Sequence, residues 1–136
     1  PIHTDVWSGN SPFELVLWIP LVSASKTKSM FILSPKKNRY YFDNIKKFNT
    51  SEKIYSHAKK DLSWLNVKFG QGLIFSQNLL HGNVVNEEKT TRWSFNCRFK
   101  SLFAPYDLKK YGEYFTSINM RQASIMGINY DEPKIK

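Results

Sequence analysis

Cysteine is nearly absent: Cys97 stands alone in 136 residues, so no internal disulfide can form and a reducing, cytoplasmic setting is expected. Acid is scarce too. Eleven Asp+Glu against 20 Lys+Arg leave a net charge of +9, enough to draw anions over several ångströms at moderate salt. The lysines nevertheless fall in dispersed pairs (Lys36 and Lys37, Lys46 and Lys47, Lys59 and Lys60, Lys109 and Lys110) with acids and aromatics between them, which is the pattern of a solvated surface rather than a nucleic-acid interface. Long apolar runs are missing; the longest, residues 15–22, contains Pro20 and is too short to span a bilayer, so no membrane partner is expected. The first residues carry neither a basic region nor an apolar run of signal-peptide length. With no Pro/Gly/Ser-rich linker, homopolymer or internal repeat, residues 1–136 read as one domain.

What the chain does contain is 41% hydrophobic and 15% aromatic residues, ample for a packed core. Residues 14–22 (ELVLWIPLV) read as a strand buried on both faces, because Pro20 would break a helix. Residues 29–34 (SMFILS) predict a second short strand, ended by Pro35 and a turn at Lys36, Lys37 and Asn38. Over residues 51–65, Ile54, Ala58, Leu62 and Leu65 recur at helical spacing with lysines opposite, which predicts an amphipathic helix. Strand patterns return at residues 66–69 and 72–76, followed by a polar turn over 82–90. Residues 92–100 (RWSFNCRFK) then alternate Trp93, Phe95, Cys97 and Phe99 with Arg92, Ser94, Asn96, Arg98 and Lys100. A row of polar residues on one strand face suits the inside of an open barrel, where a ligand rather than a core fills the space. A further helix is expected near residues 108–115. The simplest architecture is mainly β, a barrel or sandwich with one inserted helix.

His3 and Asp5 form an H-x-D pair, and in an extended strand residues two apart point to the same side, so an imidazole and a carboxylate converge. Such tripeptides arise by chance, and a surface histidine near an aspartate usually makes only a hydrogen bond. His81 strengthens the pair, since it follows a buried-looking strand and opens the Gly82, Asn83 turn. Two histidines and one carboxylate are the facial triad of non-haem Fe(II) oxygenases, though zinc accepts the same donors. Arg92 discriminates: eleven residues after His81, it sets a guanidinium fork on the polar strand face, where it can grip the far end of a dicarboxylate, with Ser94 donating a further hydrogen bond.

The order HTD, WIPL, LLHGN and TRWSFNCRFK resembles the 2-oxoglutarate/Fe(II)-dependent dioxygenase superfamily. Within it, the chain resembles the group encoded in sporadic carbohydrate-biosynthesis clusters and related to a streptomycin-biosynthesis protein. The likeness runs over nearly the whole chain, including the DVWSGNSPFE loop and residues 103–133. It implies a double-stranded β-helix (a cupin-like jelly roll), His3, Asp5 and His81 as iron ligands, and Arg92 with Ser94 as the 2-oxoglutarate site. It implies hydroxylation of a carbohydrate-derived or related small metabolite, with desaturation or epimerisation as the other outcomes. Trp7, Asn10, Asn83 and Arg98 are the candidate contacts to that sugar-derived or anionic substrate. Members of the family carry a substantial region ahead of H-x-D, whereas here only Pro1 and Ile2 precede it. An N-terminally incomplete barrel is therefore expected, with an apolar face or edge uncovered, self-association into a homo-oligomer, and fraying of a ligand at position 3.

Two other classes were weighed. A non-catalytic cupin-like module could hold a sugar or metal on the same scaffold, but would have no reason to bury an unpaired guanidinium beside two histidines. A basic nucleic-acid binder would use the charge and aromatics and give the triad no role. Trp18, Trp64 and Trp93 read as core, His57 as surface, Cys97 as a buried small hydrophobe, and Lys28 as a solvated lysine or an aid to the co-substrate carboxylate.

Overall fold

Strand β1 (Leu15–Pro20) heads the regular elements of the chain in a computed structural model that describes residues 2–131, 133 and 134. After it come β2 (Phe31–Ile32), α1 (Pro35–Asp43), α2 (Ile45–Phe48), α3 (Ser51–Ala58), β3 (Ser63–Trp64), β4 (Leu73–Ser76), β5 (His81–Gly82), β6 (Ser94–Phe99) and α4 (Gln122–Ile128). Pro1 and position 132, both touched by the family resemblance, lie outside the described residues. The architecture is mixed α/β, with two small antiparallel sheets of order β4-β1-β6 and β3-β2-β5.

Each sheet faces its own apolar cluster. Val16, Trp18 and Phe75 from the first sheet pack with Ala24, Met30 and Val67. Phe31 and Leu33, beside β2, pack with Ile2 and Leu80 against Tyr41, Phe48, Ile54 and Ala58 from the helices. Trp18 is core, as its pattern predicts. β1, however, is buried on alternate residues rather than on both faces: Val16, Trp18 and Pro20 point inward.

The outer side of the first sheet is apolar and open to solvent. Leu17 stands between Ile74 and Cys97 in the register, and Ile19 opposite Phe95; Ile74 is 65% exposed and Phe95 53%. Trp93, expected in the core, is 66% exposed, and Trp64 is exposed as well. The apolar row of β6 thus faces outward, because its polar row is the one turned toward a pocket.

One expected turn and two expected helices are corrected. Pro35 does not close β2 into a turn but opens α1 as its first residue, where a proline's missing N–H is no loss, and Ser34 caps the helix by accepting from the Lys37 N–H. The helix expected over residues 51–65 stops at Ala58, continues as a 3-10 turn (Lys59–Asp61), and turns extended at Leu62 so that Trp64 can pair with Phe31. No helix forms over residues 108–115: Gly112 takes φ +85° and its N–H bonds the Phe115 carbonyl, making a tight loop, while the helix forms at Gln122–Ile128.

Candidate metal centre

The candidate metal ligands come from two chain segments that the backbone ties together. His3 and His81 face each other across an antiparallel bridge in which each N–H donates to the other's carbonyl at 2.9 Å. Asp5 is not in a continuing strand, as the H-x-D spacing suggests; Thr4 is extended, and Asp5 then begins a 3-10 turn (Asp5–Ser8). The turn closes with Gly9 at φ +77°, a left-handed conformation suited to glycine.

A buried polar network fixes that turn. Asn10 Nδ2 donates to the Asp5 carbonyl at 2.9 Å, the Ser11 N–H donates to Glu14 Oε1 at 2.8 Å, and Gln77 Nε2 donates to Glu14 Oε2. The Gln77 carbonyl in turn accepts from the Asp5 N–H. On the other side, Asn38 of α1 accepts from the Leu80 N–H at 2.7 Å and donates to the Asn78 carbonyl, so the segment leading into His81 hangs on a helix that the sequence pattern concealed.

The outcome is a cluster in which one ligand atom from each of His3, Asp5 and His81 lies within 4.8 Å of the others. Asp5 Oδ1 stands 3.6 Å from His3 Nε2 and 3.7 Å from His81 Nε2. His81 and Asp5 are buried, and His3 is partly open. His81 Nδ1 lies 2.8 Å from the Leu79 carbonyl, which can only accept, so the proton sits on Nδ1 and the Nε2 lone pair faces Asp5 and His3. Burial holds the His81 pKa below the usual histidine value against the opposing pull of Leu79 and Asp5. Burial pushes the Asp5 carboxyl up, but the nearby His3 and His81 imidazoles and the Arg98 guanidinium outweigh it and leave the group below its ordinary value. Both protonation states are those a metal ligand needs.

Around the triad lies a pocket of about 240 Å³, lined on its polar side by Asn83, Arg92, Ser94, Asn96 and Arg98 and on its apolar side by Val16, Trp18, Met30 and Phe75. Arg92 Nη1 donates to the Ser29 carbonyl at 3.2 Å; among the described residues no carboxylate stands within ion-pair distance of it. Arg98 reaches further in, with Nη2 on Asp5 Oδ2 at 3.1 Å.

Of the sequence candidates, His3, Asp5, His81, Arg92, Ser94, Asn83 and Arg98 meet in this pocket. Trp7 does not line it; its ring is exposed and lies against Phe42. Asn10 is buried and acts on the backbone of the metal turn rather than at the pocket wall. Lys28 donates to Thr90 instead of entering the site. Asn96 was legible as part of the polar face but not singled out. Met30 carried no signal, since only the approach of β2 to the first sheet brings it there.

No family model matches the chain, and no curated protein matches it.

Proposed function

We propose that the chain is a non-haem Fe(II)/2-oxoglutarate-dependent oxygenase acting on a small molecule, with the jelly-roll fold of that superfamily as the parent of its two sheets. The observation that carries this reading is an unneutralised guanidinium sharing a pocket with a two-histidine, one-carboxylate cluster. The donor set fits Fe(II): two imidazole nitrogens and one carboxylate oxygen lie close together at the wall of a pocket. Zinc would accept the same three donors, but a hydrolytic zinc site has no need of Arg92, whereas the far carboxylate of 2-oxoglutarate matches a guanidinium fork.

In this reading His3, Asp5 and His81 hold the metal. Arg92 and Ser94 hold the co-substrate's distal carboxylate, and the Leu79 carbonyl keeps His81 in the ligating tautomer. Bound iron, with 2-oxoglutarate and O₂, supplies the oxidising power to remove hydrogen from an unactivated C–H bond. Val16, Trp18, Met30 and Phe75 give the pocket an apolar wall that limits water at the metal. The lone Cys97 suits a reducing cytoplasm; among the described residues no helix is long and apolar enough to cross a membrane.

Anaerobic titration with Fe(II) and 2-oxoglutarate tests the reading through the weak visible charge-transfer band of the chelate. His81→Ala should abolish the band. Arg92→Ala should leave Fe(II) binding intact and weaken 2-oxoglutarate. A parent chain that binds no Fe(II), or an Arg92→Ala chain that takes up 2-oxoglutarate as the parent does, would overturn it.

A further inference from the structure

A cavity of about 670 Å³ lies outside the metal pocket, between β6 and the C-terminal segment. Arg98, Lys100 and Arg121 line it, and among the described residues no aspartate or glutamate does. Among the described residues neither Lys100 nor Arg121 makes an ion pair. Tyr106, Tyr114 and Phe115 are part of its aromatic lining. Lys100 Nζ sits 3.2 Å from the centre of the Tyr106 ring and donates to the Pro105 carbonyl, which holds the ammonium at the wall.

This cavity adjoins the metal centre through Arg98, which lines both. One terminal nitrogen of Arg98 is on Asp5 Oδ2 and the other donates to the Tyr114 hydroxyl at 3.1 Å. The same C-terminal segment is pinned to the metal turn: Lys109 Nζ donates to Asn10 Oδ1 at 2.8 Å, and Ser11 Oγ to the Pro105 carbonyl.

We propose that this cavity is the substrate site of the metal centre, and that it takes a small molecule in which an anionic group is joined to a ring. The assignment rests on the oxygenase reading. Lys100 and Arg121, which make no ion pair among the described residues, gain charge-assisted hydrogen bonds from an anion, and the aromatic lining gives a ring apolar contact. Arg98, bonded to Tyr114 on one side and Asp5 on the other, is where this cavity and the metal pocket meet.

Phenyl phosphate, titrated calorimetrically into the metal-free chain beside phenol and inorganic phosphate, tests the binding. It should bind more tightly than either comparator. Arg121 is exposed, so Arg121→Gln should fold as the parent does and lose at least about tenfold in affinity, the scale of one charge-assisted hydrogen bond. Lys46→Gln, on α2, should bind as the parent does. Equal binding of phenol and phenyl phosphate, or unchanged affinity in Arg121→Gln, overturns the anion site. Loading with Co(II) should then enhance relaxation of the bound ligand's ³¹P resonance, and His81→Ala at the same Co(II) concentration should remove the enhancement. Tight phenyl phosphate binding with Co(II) bound and no enhancement overturns the substrate assignment. Failure of Co(II) to bind overturns the oxygenase reading and the substrate role with it, while calorimetry alone judges the anion site.

Discussion

Arg98 Nη2 stands 3.1 Å from Asp5 Oδ2, the carboxylate oxygen opposite the one that the two histidines approach. The guanidinium therefore occupies one oxygen of Asp5 and leaves Oδ1 facing the two histidines. Replacing Arg98 with methionine keeps an unbranched, flexible side chain, shorter than arginine's, and removes the charge. Divalent metal affinity, measured by chelator competition, should drop by about 10- to 100-fold, the usual cost of losing a partner of a metal ligand. Affinity equal to the parent's would show that Asp5 needs no such partner.

Gly9 joins the metal turn to the C-terminal segment. Its φ of +77° disfavours any side chain, and a Cβ there would sit 2.7 Å from Leu108 Cδ1 and 3.0 Å from Leu108 Cβ. Gly9→Ala should cost more than about 1 kcal/mol, the loss expected where alanine meets an incompatible backbone. Urea unfolding would measure it, and a variant as stable as the parent would place the segment elsewhere.

Phe31 is fully buried at the centre of the helical cluster, edge-on to Trp64 with centroids 5.4 Å apart and tilted against Tyr55 at 5.6 Å. Phe31→Ala should destabilise by about 3–5 kcal/mol, through lost transfer energy and the cavity left behind. Because β2 also pairs with β5, the same variant should loosen His81, which hydrogen exchange at its amide would report.

Tyr41 gives the stability an alkaline limb. Burial, the hydrogen bond from its hydroxyl to Asp61 Oδ2 at 3.1 Å and the Asp61 charge push its pKa up to about 12 from 10.0. Between those values the folded chain keeps a proton that the unfolded chain releases, so stability falls as pH rises through that window. Tyr41→Phe should flatten this limb in a denaturation series run against pH. An unchanged slope would assign the effect to another group.

Legibility in the sequence followed the range of each interaction. The alternation in β6 marked which side chains enter the pocket, because a two-residue period depends only on the strand itself. His3, Asp5, His81 and Arg92 were legible by residue type and order. The location of the apolar face was misjudged at Trp93, since alternation separates two faces without saying which one meets a neighbour. Pro35 misled because a proline serves both to end strands and to begin helices, and Ser34 as its cap was the overlooked cue. The roles of Asn38 and Asn10 had no local signal at all; each acts on backbone groups brought near by tertiary folding.

The reciprocal amide pair between positions 3 and 81 has one more implication. Peptide groups set the spacing of the two backbones that carry the imidazoles. Entry of a cation then asks for little rearrangement of the main chain, and the site's size is inherited from β geometry. A one-residue slippage of that pairing would turn one ring away and dismantle the centre without altering a single ligand.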